Sequence, residues 1–87
     1  MFRLELKKAA QQKVRKLPDD VRQEVTEILL DLRDDPFPPF AEPLERELEG
    51  RFKIKVDGYR IIYMIHDEVI VILDIRRRNR NTYLNVP

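Results

Sequence analysis

The sequence predicts an α+β fold in a single domain spanning residues 1–87, with elements in the order β-α-α-β-β-β and the two N-terminal helices packed on one face of a small sheet. Three observations predict it. Phe2, Leu4 and Leu6 alternate with Arg3, Glu5 and Lys7, the period of a half-buried strand. Val21, Val25, Ile28, Leu29 and Leu32 recur at helical spacing and form one apolar stripe. Asp57-Gly58 divides two strand-like runs, and glycine accepts the positive φ that tight primed hairpin turns require.

After the first strand the period changes at Lys8. Ala10, Val14 and Leu17 share a helical stripe, and Pro18 stops this short helix. Pro18 also suits the first turn of a second helix, with Asp19 and Asp20 beside its positive end. That helix should end near Asp34, because Pro36 disfavours helical geometry at Asp35, and Pro38, Pro39 and Pro43 prevent its resumption. Residues 36–50 read as a stiff structural crossover, with Leu44 and Leu48 as anchors. Phe52, Ile54 and Val56 then alternate with Arg51, Lys53 and Lys55, so burying the apolar set turns the basic set to the opposite face. Tyr59 to Ile65 returns as a strand, Asp67-Glu68 turns the chain, and Val69 to Arg76 completes a meander. The apolar residues Ile61-Ile62 and Ile70 to Ile72 predict a sheet packed by helices on one side and partly shielded on the other.

The chain has 17 Lys and Arg against 16 Asp and Glu, a formal charge of +1 that conceals an asymmetry. Residues 1–50 carry nine Lys/Arg against twelve Asp/Glu, a net of −3, whereas residues 51–87 carry eight against four, a net of +4. A local basic field concentrates anions whatever the total charge, so the second half is expected to build the partner-binding face. Cysteine is absent, which removes disulfides and thiolate metal sites and makes a cytoplasmic location the default expectation. No apolar run approaches a membrane span, so no membrane partner is expected, and no pattern implies a metal or a small-molecule cofactor.

Strand parity selects the residues that meet. With Tyr59, Ile61 and Tyr63 toward the helices, Arg60 faces away from them and shares a surface with Lys53 and Lys55. If the last strand keeps register, Asp74, Arg76 and Arg78 lie together at its end, and Asn79 to Thr82 can turn the chain so that Tyr83 returns over that surface. Such a set suits a phosphodiester, which Arg binds as a bidentate fork and Lys as a point charge. His66 is the only histidine, so a paired-histidine ribonuclease is excluded, and its place beside the Asp67-Glu68 turn is that of an ordinary flanking residue. Tyr59 and Tyr63 share a face with Ile61 and Ile65 and read as core aromatics. Glu24, Glu27 and Asp31 read as the solvent face of the second helix.

On the Leu17-Pro18 junction, the Asp35-Pro36 stop and the segment Gly58-Tyr59-Arg60-Ile61-Ile62-Tyr63, nearly the whole chain resembles the RelE/ParE superfamily of small bacterial and archaeal toxins. The resemblance implies the RelE-like microbial RNase fold. In the RelE branch it implies a metal-independent, ribosome-dependent endoribonuclease whose site uses paired lysines, an arginine after the Gly-Tyr, a further arginine and a C-terminal tyrosine. Lys53, Lys55, Arg60, Arg78 and Tyr83 match those positions, with Arg51, Arg76, Arg77 and Arg80 as further RNA-binding candidates; Arg76, Arg77 or Arg80 could also replace Arg78 as the working arginine. The implied reaction is attack of a messenger RNA 2′-hydroxyl on its own phosphate in the ribosomal A site. Tyr83 and one of Lys53 and Lys55 would move protons, because clustered cations ease proton loss from a lysine or phenol among them. Arg60 and Arg78 would hold the phosphate. The implied partners are the ribosome, mRNA and a cognate antitoxin protein. The alternative is a noncatalytic inhibitor of DNA gyrase, or a protein that uses the same fold only to bind its antitoxin.

Overall fold

The computed structural model describes residues 2–45 and 49–77. Its elements are β1 (Arg3–Leu6), α1 (Lys8–Lys16), α2 (Asp19–Leu32), β2 (Glu42–Pro43), β3 (Arg51–Val56), β4 (Tyr59–His66) and β5 (Val69–Arg77). They build an α+β fold around a mixed sheet in the order β1-β5-β4-β3-β2, in which only β1 and β5 run parallel.

Leu4 and Leu6 lie opposite Ile70 and Ile72 and turn toward the helices, as the alternation predicts. α1 stops at Lys16 because Leu17, which precedes Pro18, adopts an extended conformation (φ −70°, ψ 147°). Leu17 is nevertheless buried and keeps its expected place in the core. Pro18 is likewise extended, so it caps α2 from the position before the first turn. Asp19 and Asp20 occupy that turn, where the helix dipole favours negative charge. Val21, Val25, Leu29 and Leu32 are buried against the sheet, with Ile28 packed at the edge of the same cluster.

The connection after α2 is more than a crossover. Glu42 and Pro43 form a fifth strand, antiparallel to β3, and the amide of Leu44 donates to the carbonyl of Arg51 at 2.8 Å. Pro43 lacks an amide proton, which restricts it to a sheet edge such as this one. The start of the segment is held by Tyr63, which is fully buried and donates its hydroxyl proton to the carbonyl of Pro36 at 3.0 Å. Phe37 meets Phe52 edge to face at 5.6 Å, and Phe52 in turn stacks on Tyr63 at 5.5 Å. Leu44 is an anchor, as expected, whereas Leu48 lies outside the described residues.

Asp57 (φ 48°) and Gly58 (φ 82°) both take positive φ at the β3–β4 hairpin, the conformation expected of a type I′ turn. Asp67 (φ 54°) supplies the corresponding bend before β5. The two faces of the sheet carry separate apolar clusters. Ile54, Val56, Ile61, Tyr63, Ile70, Ile72 and Ile75 pack under the helices, while Ile62, Val71, Leu73 and Leu44 shield part of the opposite face.

One irregularity sets the chemistry of that opposite face. From His66↔Val69 to Tyr63↔Ile72 the β4–β5 register is regular, but Ile62 pairs with Asp74, leaving Leu73 as an extra residue. This bulge inverts the alternation of β5, so that beyond it Ile75 enters the core while Asp74 and Arg76 turn to the far face. Among the described residues no helix is long and apolar enough to cross a membrane.

Candidate nucleic-acid interface

On the face away from the helices, register places side chains in rungs that cross the sheet. One rung runs Glu42, Lys53, Ile62, Asp74, and the next runs Lys55, Arg60, Arg76. Arg51 stands further along β3, opposite Met64. Thus the structure brings together Lys53, Lys55, Arg60, Arg51 and Arg76 from the residues singled out by sequence.

The second rung consists entirely of cations on three adjacent strands. Like charges directly opposite one another destabilise a sheet, so packing alone gives no reason for this arrangement. Two carboxylates compensate it from the neighbouring rung. Glu42 lies between the lysines, with Oε2 at 3.6 Å from Lys53 Nζ and Oε1 at 3.6 Å from Lys55 Nζ. Asp74 is buried; its Oδ1 accepts the amide proton of Ile75 at 2.8 Å, and its Oδ2 accepts from Arg76 Nε at 2.7 Å. Sequence reasoning noted Asp74 but missed Glu42, whose strand is too short to leave a period. Lys53 and Lys55 thus share one carboxylate partner, which lies on the same face as the cation row.

Arg60 departs from expectation in another way. It belongs to the predicted face but is only 7% exposed, and its Nη1 donates to the carbonyl of Tyr59 at 3.1 Å. Its guanidinium is a fixed cation set between Lys55 and Arg76 in register. Burial at this depth strengthens its interaction with any anion brought against it. Tyr63, on the helix side, is a core aromatic as predicted; burial, aided by the charge of Asp35, pushes its phenol up to about 12.

Arg77 is not brought to this face. It pairs with Tyr59 and lines a pocket on the helix side of the sheet, with Lys13, Lys16, Leu17 and Ile75. Arg78, Arg80 and Tyr83 lie outside the described residues. Among the described residues no group of three His, Cys, Asp or Glu side chains could hold a metal ion.

Residues 4–82 match the family model described as the ParE toxin of type II toxin–antitoxin systems. No curated protein sequence matches. Among solved structures, the chain is 31% identical to one from the RelBE2 toxin–antitoxin complex of Mycobacterium tuberculosis, over 88% of this chain and 98% of that one, with a TM-score of 0.77. It is 25% identical to a chain of the intact Escherichia coli RelBE toxin–antitoxin complex, over 92% and 100% of the two chains, with a TM-score of 0.77. A YoeB/ParE toxin from Agrobacterium tumefaciens shares the fold at 12% identity, over 88% and 99%, with a TM-score of 0.77.

Proposed function

The chain belongs to the RelE/ParE superfamily of toxins of type II toxin–antitoxin systems, and on that premise we propose that it is a ribosome-dependent endoribonuclease that cleaves messenger RNA in the A site. The observation that carries this reading is the rung Lys55, Arg60, Arg76, a row of cations across three strands with Lys53 beside it. A phosphate is the ligand for which such a row is suited.

In the reaction, the 2′-oxygen forms a bond to the adjacent phosphorus and the bond from phosphorus to the 5′-oxygen breaks. One group accepts the 2′-hydroxyl proton and another delivers a proton to the departing 5′-oxygen, leaving a 2′,3′-cyclic phosphate and a 5′-hydroxyl. Negative charge grows on the non-bridging oxygens as the phosphorus becomes five-coordinate. Arg60, already held by the Tyr59 carbonyl, meets that charge with little reorganisation. Arg78 is assigned to the same phosphate. Tyr83 and one of Lys53 and Lys55 carry the protons, and Glu42 holds both ammonium groups until a phosphate competes for them. The ribosome supplies the remaining alignment by bending the codon into attack geometry.

The similar chains from M. tuberculosis and E. coli come from toxin–antitoxin complexes. We assign this chain a partner of the same kind, a cognate antitoxin with an acidic, amphipathic segment suited to the basic face, and a cytoplasmic place of action. The match to the ParE description favours a second reading, noncatalytic inhibition of DNA gyrase.

The test adds the purified protein to programmed ribosomes and maps the RNA ends, with Lys55→Ala, Arg78→Ala and Tyr83→Ala in parallel. Cleavage in the A site that falls by roughly 10²–10³ in rate for each substitution is the expected result. An intact message in the presence of a growth-inhibiting protein would reject the nuclease and direct the search to gyrase.

A further inference from the structure

The pocket that receives Arg77 is a second cationic site, separated from the first by the thickness of the sheet. Lys13 and Lys16 reach it from the last turns of α1, Tyr59 from the start of β4 and Arg77 from the end of β5, with Leu17 and Ile75 also lining it. Its volume is about 170 Å³.

α1 carries four cations, Lys8, Lys13, Arg15 and Lys16, and no acid. Cations in the last turn of a helix complement its dipole, which accounts in part for Lys13 and Lys16. It does not account for Arg77, which arrives from a different element. Nor do the described residues of the pocket include what balances the other face: no carboxylate is among its described lining residues. An anionic ligand seated here would supply the compensating charge.

The geometry also selects the kind of anion. Arg76 and Arg77 are consecutive on β5 and point to opposite faces, and Arg60 and Tyr59 do the same on β4. The Arg60, Arg76 rung on one face and the Tyr59, Arg77 pair on the other are therefore neighbours at the same end of the sheet. A polymer with a charge at every repeat could pass around that end and meet Arg76, then Arg77, Lys16 and Lys13 in turn. Half-buried Tyr59 adds a phenol that can donate to a phosphate oxygen or present a ring edge to a base. We propose that this pocket binds a phosphodiester of RNA outside the scissile step, so that one RNA strand wraps the β4–β5 end and is gripped on both faces of the sheet. The proposal deepens the endoribonuclease reading, and the identity of the polymer rests on it.

The experiment measures binding of a short fluorescent single-stranded oligoribonucleotide by anisotropy over a range of KCl concentrations. Wild type is compared with the triple variant Lys13→Gln/Lys16→Gln/Arg77→Gln, whose three side chains are all exposed and can be replaced without opening the core. Circular dichroism and thermal melting confirm that the variant is folded. Each lost phosphate contact lowers the salt slope for a single strand by ~0.7, so the triple variant should lose about 2 from the slope of log K against log salt. An unchanged slope overturns the proposal. Poly-glutamate bound as tightly as the RNA, with the same dependence on the three cations, also overturns it by assigning the pocket to an acidic protein partner. Ribosomal cleavage is scored separately. A lost slope without wild-type cleavage keeps the pocket and removes the nuclease, whereas cleavage with an unchanged slope does the reverse.

Discussion

Replacing Tyr63 by phenylalanine tests how the segment bearing Glu42 is held against the sheet. The ring would remain stacked on Phe52, and only the hydrogen bond to the Pro36 carbonyl would be lost. Removing one partner of a buried neutral pair costs about 1–2 kcal/mol. For a domain of this size that lowers Tm by roughly 4–8 °C per kcal/mol. The pH dependence makes the test sharper. The folded-state phenol is pushed up to about 12 from an ordinary value of 10.0, so it holds its proton more tightly in the folded chain than in the unfolded one. This contribution to stability is complete below about pH 10 and is lost as the pH rises toward about 12, because the unfolded chain ionises first. The full difference is worth about 3 kcal/mol. Tyr63→Phe should therefore be less stable than wild type at pH 8 and cross over to become the more stable protein between about pH 10.5 and 11.5. Urea midpoints for both proteins across this range measure it, since the other titrating groups cancel in the difference. A gap that stays constant with pH would refute the buried, proton-donating role assigned to Tyr63.

Glu42→Gln removes the carboxylate between Lys53 and Lys55, so affinity for single-stranded RNA should rise and its salt dependence should steepen, read by anisotropy against KCl. Asp74→Asn retains the shape but removes the charge beside Arg76; chemical denaturation should show a loss of about 1–3 kcal/mol, and ribosomal cleavage should fall with it. Gly58→Ala meets no atom within 4 Å but must hold φ at +82°, so it should cost about 1 kcal/mol in urea unfolding through backbone strain alone.

Much of this fold is legible because its elements have clean periods. The strand at Leu4 and Leu6, the stripe of α2 and the Asp57-Gly58 turn each follow from residue spacing, and each has the predicted place. The missing strand, β2, has two residues and one is proline, so it has no period and acquires its identity only by pairing with β3. Glu42 went unseen for the same reason. The bulge was unreadable for a different one: Asp74 and Arg76 share the face expected of them, but from Val69 to Leu73 the chain is apolar at every position, so nothing in the sequence marks where the alternation inverts. The cations of α1 were hidden by arithmetic, because the net −3 of residues 1–50 averages them with the acids of α2 and the connection after it.

The balance of charge on the far face explains why the site tolerates its own repulsion. Adjacent strands are ~4.8 Å apart, and two unit charges at that spacing repel by roughly 3 kcal/mol at an effective dielectric constant of about 20. Three cations in a rung would burden a domain of this size unless the strain were relieved nearby. Glu42 and Asp74 relieve it from the two ends of the adjacent rung, so Arg60 at the centre remains flanked by cations. Acids placed within the cation row would have stabilised the sheet more and closed the space that a phosphate needs. Glu42 reaches its position through a two-residue edge strand, and Asp74 reaches its position through the bulge. The two features that sequence periodicity could not reveal are thus the two that set the carboxylates beside the row, and replacing either carboxylate should alter RNA affinity while leaving the side chains of the helix-packed core in place.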